Sequence, residues 1–209
     1  MTQTPIVFVV DNDDDVRESI RALLETAGYS VEDHASARSF LGSDRVRQTG
    51  CLVCDIRMPE MTGLQLQEEC ARRGIDLPTI FITGHGDVAL AVRAMKAGAV
   101  DFIEKPFDEE LLVAGIQRAL EIGDKTRSQA KEAQTAKRLI GLLTPRERHV
   151  LEQLVAGRSN KVAAHALGIS PRTVEIHRAR IMGKMNARSL SDVVRLSLAA
   201  SLPGAGEHP

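Results

Sequence analysis

Short apolar runs, each closed by polar or acidic residues, recur through the N-terminal half of the chain. Each run holds four or five residues, which is too short for a helix and typical of a strand buried on both faces. A weaker, partly alternating run from Tyr29 to His34 fits one further strand. The four strong runs are Ile6–Val10, Cys51–Cys54, Thr79–Ile82 and Val100–Ile103.

Between these runs, apolar residues recur three or four positions apart, as on one face of a helix. Val16, Ile20 and Leu24 give the first such stripe, and Gly28 follows it as a helix-ending glycine would. Five strands that alternate with five helices predict an α/β domain over residues 1–123. Its core is expected to be a doubly wound, flavodoxin-like parallel sheet of five strands.

After residue 123 only helical patterns remain. Residues 124–140 are rich in Ala, Lys and Gln and lack proline, which favours a helical linker, with a partly disordered linker as the alternative. A small all-α domain of four helices is predicted over residues 141–203, and residues 204–209 are predicted to be a disordered tail. Thr144 and Glu147 form a capping box at the start of its first helix.

Two helices of this domain are joined by a turn that contains glycine. A short helix over Ser159–Leu167 is followed by Gly168 and then by a longer helix from Pro171 to about Met185. This order is typical of the helix-turn-helix of DNA-binding proteins. A fourth helix is predicted from Ser189 through Leu198.

The charges divide unevenly between the two halves, although the net charge of the chain is only −1. Residues 1–124 hold 12 Lys and Arg against 22 Asp and Glu, a net charge of −10. Residues 125–209 hold 15 basic and 6 acidic residues, a net charge of +9. A small basic domain is a candidate nucleic-acid binder, because affinity for DNA comes largely from neutralised phosphates.

The three cysteines and the absence of long apolar runs indicate a cytoplasmic protein. No run approaches the roughly 20 residues that span a bilayer, and the first residues lack the layout of a signal peptide. Cys51 and Cys54 form a C-x-x-C pair, which invites a redox interpretation. Three steps along a strand, however, place side chains on opposite faces, so we expect inert buried thiols instead.

Acidic, hydroxyl and ammonium groups follow the ends of the strong strands. If the strands are parallel, their carboxyl ends share one edge of the sheet, where ligands bind in α/β proteins. Asp11, Asp55, Thr83 and Lys105 would then meet there. Such a set suits a hard cation and a phosphoryl group. An isolated Asp55 would otherwise be read as a solvated acid at a strand end.

Two groups of sequence motifs lie in order along nearly the whole chain. The group in the N-terminal half consists of Val9-Val10-Asp11, Asp55 with Met58-Pro59, Ile82–Asp87, Ala94–Ala99 and Lys105-Pro106-Phe107. The group in the C-terminal half consists of Thr144–Glu147, Asn160-Lys161, Ser170–Arg178 and Lys184-Met185. The first group resembles the receiver domain of bacterial two-component response regulators, and the second resembles the LuxR-type DNA-binding domain. The pairing is most similar to the FixJ subgroup of these regulators.

The receiver resemblance implies that Asp55 is the phosphoacceptor and that Lys105 and Thr83 contact the phosphoryl group. Phe102 would be the aromatic switch residue, with a plain core role as the alternative. The resemblance also implies a cis bond before Pro106. The implied cofactor is Mg²⁺, and its implied ligands are Asp11, Asn12, Asp55 and the backbone carbonyl of Arg57, with Asp13 as a substitute.

Asn12 departs from the family pattern, which usually has a second acid at this position. An amide oxygen can coordinate Mg²⁺ but brings no charge. We therefore expect weaker metal binding than in a receiver with two adjacent acids.

The LuxR-type resemblance, together with the helix-turn-helix pattern, assigns DNA contacts to the second helix of the motif and its flanks. Single basic residues in this set would otherwise be read as solvated surface charges. Val174 and Ile181 are expected to face inwards, and the fourth helix would pair two DNA-bound domains or pack within one. The candidates are Lys161, Arg172, Thr173, Glu175, Ile176, Arg178, Ala179, Arg180 and Lys184.

The resemblance implies a DNA-binding transcription regulator rather than an enzyme. A sensor histidine kinase would phosphorylate Asp55, and the protein would then form a homodimer on double-stranded promoter DNA, with RNA polymerase as a further candidate partner and no membrane partner. One alternative is a regulator with a degenerate receiver, marked by Asn12, that binds DNA without phosphorylation. Another is a Mg²⁺-dependent phosphohydrolase.

Overall fold

The computed structural model describes residues 4–84 and 88–201, and the chain divides into two compact units after Lys125. The predicted helix cap Asp87, the loop residue His85 and the tail 204–209 lie outside the described residues. The strands are β1 (Ile6–Val10), β2 (Ser30–His34), β3 (Gly50–Asp55), β4 (Thr79–Thr83) and β5 (Asp101–Glu104). The helices that follow them are α1 (Asp14–Thr26), α2 (Ala37–Leu41), α3 (Gly63–Arg72), α4 (Val88–Lys96) and α5 (Glu109–Gly141).

The five strands form one parallel sheet in the order β2-β1-β3-β4-β5. This is the flavodoxin-like order, so the predicted fold is confirmed. Val10 pairs with Cys54, and Asp55 pairs with Ile82. The register therefore brings the ends of β1, β3 and β4 to one edge of the sheet.

Each face of the sheet has its own apolar core. One core holds Phe8, Phe40 and Phe81, and the other holds aliphatic side chains such as Ile82 and Leu112. Both faces are covered because the helices of a doubly wound fold lie on both sides of the sheet.

Cys51 and Cys54 lie in different cores, which confirms that they point to opposite faces of β3. Burial raises the pKa of the Cys51 thiol to about 12. Since the thiolate is the reactive form, these residues act as small apolar side chains.

The C-terminal unit has four further helices: α6 (Pro145–Val155), α7 (Asn160–Leu167), α8 (Pro171–Lys184) and α9 (Leu190–Ser201). The predicted capping box at the start of α6 is present between Thr144 and Glu147. Gly168 ends α7 with a φ of 64°, a left-handed conformation that glycine adopts without strain. Val174 and Ile181 are buried in the core between these helices, which confirms their inward direction.

Helix α5 is a single helix of 33 residues that includes positions 124–140.

Within the described residues, no helix is long and apolar enough to cross a membrane.

Candidate phosphoryl site and DNA-binding surface

Four predicted site residues lie at the carboxyl edge of the sheet. Asp11 follows β1, Asp55 ends β3, Thr83 ends β4 and Lys105 follows β5. The ammonium of Lys105 donates to Asp11 Oδ2 at 2.7 Å and to Asp55 Oδ1 at 3.0 Å. Residues that are far apart in the sequence are thus joined by one cation, as the parallel strands predict.

The charges of this cluster are held largely away from water. Asp11 is 1% exposed and Asp55 is 6% exposed. Burial lowers the pKa of Lys105, but its hydrogen bonds and attraction to the two carboxylates outweigh that effect, and the net pKa is raised. Lys105 is therefore a permanent positive charge beside Asp55 at neutral pH.

Backbone amides orient the remaining oxygens of the two carboxylates. Asp55 Oδ2 accepts from the amide of Arg57 at 2.7 Å, and Asp11 Oδ1 accepts from the amide of Asp13 at 2.9 Å. Each carboxylate thus has one oxygen on the ammonium and the other on a neighbouring N–H. The peptide bond between Lys105 and Pro106 is cis, as the resemblance implies.

The ligand atoms available at this edge are oxygens, the type that hard divalent cations prefer. Asp11 and Asp55 supply two fixed carboxylates, and the exposed Asn12 is adjacent to Asp11 in the chain. In the described ranges, no three His, Cys, Asp or Glu side chains form a metal cluster.

Asp13, the predicted substitute ligand, has a structural task that the sequence analysis missed. Its Oδ1 accepts from the amides of Asp15 and Val16 at 3.1 and 3.2 Å and caps α1. Recruitment of Asp13 to a metal stays a prediction, and it would compete with this cap.

Arg17 is a second residue that the sequence analysis missed. Its guanidinium donates to the carbonyl oxygen of Asp11 at 3.0 Å and bonds Asp14 and Asp33 at 2.7 and 3.1 Å. From its position on α1, Arg17 therefore fixes the backbone of the acidic loop, residues 11–13, which joins β1 to α1. The available signal in the sequence was a basic residue two positions after a run of acids.

Thr83 and Phe102 flank the cluster on β4 and β5. Thr83 is buried and pairs with Glu104 in the register, while Phe102 is half-buried against the core that contains Phe81. Their roles in switching stay predictions.

Gly63 brings the first turn of α3 against the end of β3, next to Asp55. Its amide donates to the carbonyl of Ile56 at 3.0 Å. A Cβ at this position would lie 2.5 Å from the backbone oxygen of Asp55, closer than real Cβ contacts allow. Only glycine permits this approach, and the sequence pattern gave no sign of it.

The helix-turn-helix presents most of the predicted DNA contacts at the surface of the C-terminal unit. The half-buried members of the set are Thr173, Arg178 and Lys184. The exposed members are Lys161, Arg172, Glu175, Ile176, Ala179 and Arg180.

Lys184 is already paired within the unit. Its ammonium lies 2.7 Å from Glu147 Oε2 and 3.3 Å from the carbonyl oxygen of Leu142. The hydrogen bond from Lys184, followed by the one from the Thr144 amide, lowers the pKa of the buried Glu147 to about 2. Lys184 therefore ties the end of α8 to the start of α6, and a phosphate contact from it stays a prediction.

Arg178 and Glu175 both bond Asn160, which was not among the predicted DNA contacts. Arg178 Nη1 donates to Asn160 Oδ1 at 2.7 Å, and Asn160 Nδ2 donates to Glu175 Oε1 at 3.5 Å. The side-chain amide of Asn160, on α7, thus lies between two side chains of α8.

Two family models match the two parts of the chain. Residues 7–117 match the response regulator receiver domain, and residues 141–197 match the bacterial regulatory proteins of the luxR family. The second match covers α6 to α8 and most of α9.

Relatives match along almost the whole length of the chain. The transcriptional regulatory protein FixJ of Azorhizobium caulinodans is 46% identical over 208 residues, which is 99% of this chain and 98% of that protein. FixJ of Rhizobium meliloti is 46% identical over 193 residues, 92% of this chain and 95% of the relative. The solved structure of the response regulator StyR superposes with a TM-score of 0.79 at 44% identity and covers 94% of this chain and 99% of StyR.

Proposed function

Because this chain belongs to the FixJ-like two-component response regulators, which join a receiver domain to a LuxR-type DNA-binding domain, we propose that phosphorylation of Asp55 controls its binding to promoter DNA. The observation that carries the proposal is the Lys105 ammonium, 3.0 Å from Asp55 Oδ1. The family is one of regulators rather than enzymes.

The chemistry is a transfer of a phosphoryl group to a carboxylate oxygen. An Asp55 oxygen forms the new P–O bond while the P–N bond of a phosphohistidine on a sensor kinase breaks. The oxygens of the phosphoryl group gather negative charge, so a fixed cation stabilises the transition state. Lys105 supplies that charge, and Mg²⁺ bound by Asp11 and Asp55, with Asn12 and the Arg57 carbonyl, would supply the rest.

Phosphorylation changes the charge balance around Lys105. A phosphoryl group adds a charge of about −1.5 to −2 at neutral pH. Lys105 then has a stronger partner than Asp11, and the hydroxyl of Thr83, the last residue of β4, donates to the new oxygens. Movement of Thr83 frees space for Phe102, and the surface around β5 changes with it.

A groove beside Lys105 suits a docking helix of the kinase. Val16, Ile20, Leu23, Pro106 and Phe107 line it with apolar surface. A phosphohistidine held on this groove would face the acidic edge of the sheet.

The C-terminal unit binds double-stranded promoter DNA through α8. Lys161 and Arg172 contact phosphates, and side chains of α8 read base edges in the major groove. Leu190, Val194 and Leu198 form an apolar patch on α9 that suits a second copy of the unit. RNA polymerase is a further partner. Because the promoter DNA of a bacterium lies in the cytoplasm, the protein acts there.

The test is incubation of the full-length protein with acetyl phosphate and Mg²⁺, followed by intact mass and by binding to DNA. We expect one phosphoryl group, a dimer that appears with it, and neither in Asp55→Ala. Continuous release of phosphate over many turnovers would instead identify a phosphohydrolase.

Asn12 favours one second candidate, a regulator whose receiver works without phosphorylation. It predicts that no adduct forms at any Mg²⁺ concentration while the protein still binds DNA. That result would overturn the phosphorylation switch and keep the DNA-binding half of the proposal.

A further inference from the structure

We propose that Asn160 is a positioning residue for base recognition. Its side chain sets the conformations of Glu175 and Arg178 and does not itself touch DNA. The inference rests on the proposed DNA-binding function and adds a specificity-determining residue to it. Its basis is the hydrogen-bond chain that runs from Arg178 through the Asn160 amide to Glu175.

The chain of bonds gives two side chains of α8 a common anchor on α7. Glu175 and Arg178 are three residues apart on one helix, a spacing at which opposite charges often pair directly. Within the part of the chain that the structure describes, they make no ion pair with each other, and the Asn160 amide bonds to both. Arg178 is half-buried and Glu175 is exposed, so their polar ends remain near the surface.

An amide is the side chain that this position needs. It carries one oxygen that accepts from a guanidinium and one NH₂ that donates to a carboxylate. A carboxylate at position 160 would hold Arg178 but repel Glu175, and an aliphatic side chain would hold neither. The two bonds together also fix which way the amide points.

Among the residues that the structure describes, the start of α7 does not depend on the Asn160 side chain. The cap of α7 is Ser159, whose Oγ accepts from the amide of Val162. Removal of the Asn160 side chain therefore leaves the start of α7 intact.

The consequence for recognition is preorganisation. Glu175 has the chemistry to accept from the amino group of cytosine, and Arg178 has the chemistry to donate to guanine. Long flexible side chains lose rotamer entropy when they bind, and a side chain that is already held loses less. Asn160 thus favours the base pairs that fit the held conformations over those that need others.

The experiment starts from a pool of random duplex DNA and the full-length protein, with and without acetyl phosphate. Selection gives the base preference of the wild type at every position of its site. The same selection with Glu175→Ala and Arg178→Ala shows which base pairs each side chain reads.

We expect Asn160→Ala to lose preference at those same base pairs, by about five-fold or more, which corresponds to the lower end of a good base contact. His165→Ala, an exposed change on the same helix, should keep the wild-type preference. Asn160→Asp keeps the oxygen that bonds Arg178 and has nearly the same shape. It should bind all DNA more weakly, keep the preference set by Arg178 and lose the one set by Glu175.

Several outcomes overturn the proposal. The first is an Asn160→Ala variant with the same base preference as wild type. The second is an Asn160→Ala variant whose preference changes only at base pairs that neither Glu175→Ala nor Arg178→Ala affects. The third is that Glu175→Ala and Arg178→Ala themselves leave the base preference unchanged. If Asn160→Ala fails to fold, the pattern of Asn160→Asp decides. If the wild type itself selects no sequence, the DNA-binding proposal fails instead.

Discussion

Lys105 resolves an electrostatic conflict at the carboxyl edge of the sheet. Asp11 and Asp55 are both buried, and two carboxylates near one another disfavour each other's charge. The ammonium between them offsets this repulsion and occupies one oxygen of each. A phosphoryl group on Asp55 would compete for the same ammonium, which gives the site two alternative sets of ion pairs.

Asn12→Asp tests what the missing acid does. We expect Mg²⁺ to bind about ten-fold more tightly, because one more negative charge close to a divalent cation contributes roughly 1–2 kcal/mol even when water screens it. Titration calorimetry with Mg²⁺ measures this. Gln117→Glu adds the same charge on α5, away from the acidic loop, and should leave the affinity unchanged. Equal affinities of Asn12→Asp and wild type would show that position 12 does not contact the metal.

Glu147 should make the C-terminal unit sensitive to acid. Its pKa is lowered from 4.5 to about 2, so the carboxylate stabilises the folded unit above about pH 4.5, and this is lost as the pH falls towards 2. Glu147→Gln should be less stable than wild type at neutral pH, and the difference should shrink over that range. Urea unfolding followed by the methyl NMR signal of the buried Met185 reports on this unit.

Glu152→Gln is the matched control for this measurement, because Glu152 is an exposed acid of the same helix. Its stability should run parallel to that of wild type at every pH. A constant difference between Glu147→Gln and wild type from pH 5 to pH 2 would contradict the assignment.

At the scale of residues, the sequence predicted which groups meet but not how each is held. Asp55, Thr83 and Lys105 could be placed together because the ends of parallel strands share an edge. The contacts of Arg17 and Asn160 could not be predicted, because they depend on which rotamers and helix positions the packing selects.

At the scale of elements, the join between α6 and α8 shapes the DNA-binding unit. Lys184 extends from the last turn of α8 to Glu147 in the first turn of α6. Glu147 is 3% exposed and also accepts from the Thr144 amide at 2.8 Å. One ion pair therefore links the N-terminal cap of α6 to the end of α8.

Lys184→Met should destabilise the C-terminal unit by about 1–3 kcal/mol, because it leaves a buried carboxylate without its cation. The methyl signal of Met185 during urea unfolding measures the loss. Lys161→Met removes an exposed charge of the same type and should change stability little. Equal stabilities of the two variants would mean that the Lys184 pair contributes nothing to the fold.

Elements with strong local signals were predictable from the sequence. The capping box of α6, the glycine after α7 and the buried stripe of α8 all follow from local chemistry. The length of α5 was not predictable from the sequence. A polar stretch such as 124–140 has no apolar stripe that would distinguish one long helix from two segments.

At the scale of the molecule, the division of charge assigns DNA binding to the C-terminal unit. The net charge of +9 over residues 125–209 should make the affinity for DNA fall steeply with salt. Lys161→Ala should reduce the slope of log K against log salt by about 0.9, the value for one phosphate contact. Fluorescence anisotropy with a selected duplex at several KCl concentrations gives this slope.

Arg72→Ala serves as the control, because it removes an exposed positive charge from the receiver unit. Its slope should equal that of wild type. An unchanged slope in Lys161→Ala would place Lys161 outside the phosphate contacts.

The close approach of Gly63 to the backbone of Asp55 has a consequence for genetics. Any side chain at position 63 pushes the end of β3 out of place. If Asp55 is phosphorylated as proposed, replacements of Gly63 should silence the regulator as completely as replacements of Asp55. A screen for loss-of-function alleles would then recover a residue that has no functional group at all. Such alleles should map to signalling rather than to DNA binding, since the altered turn lies in the receiver.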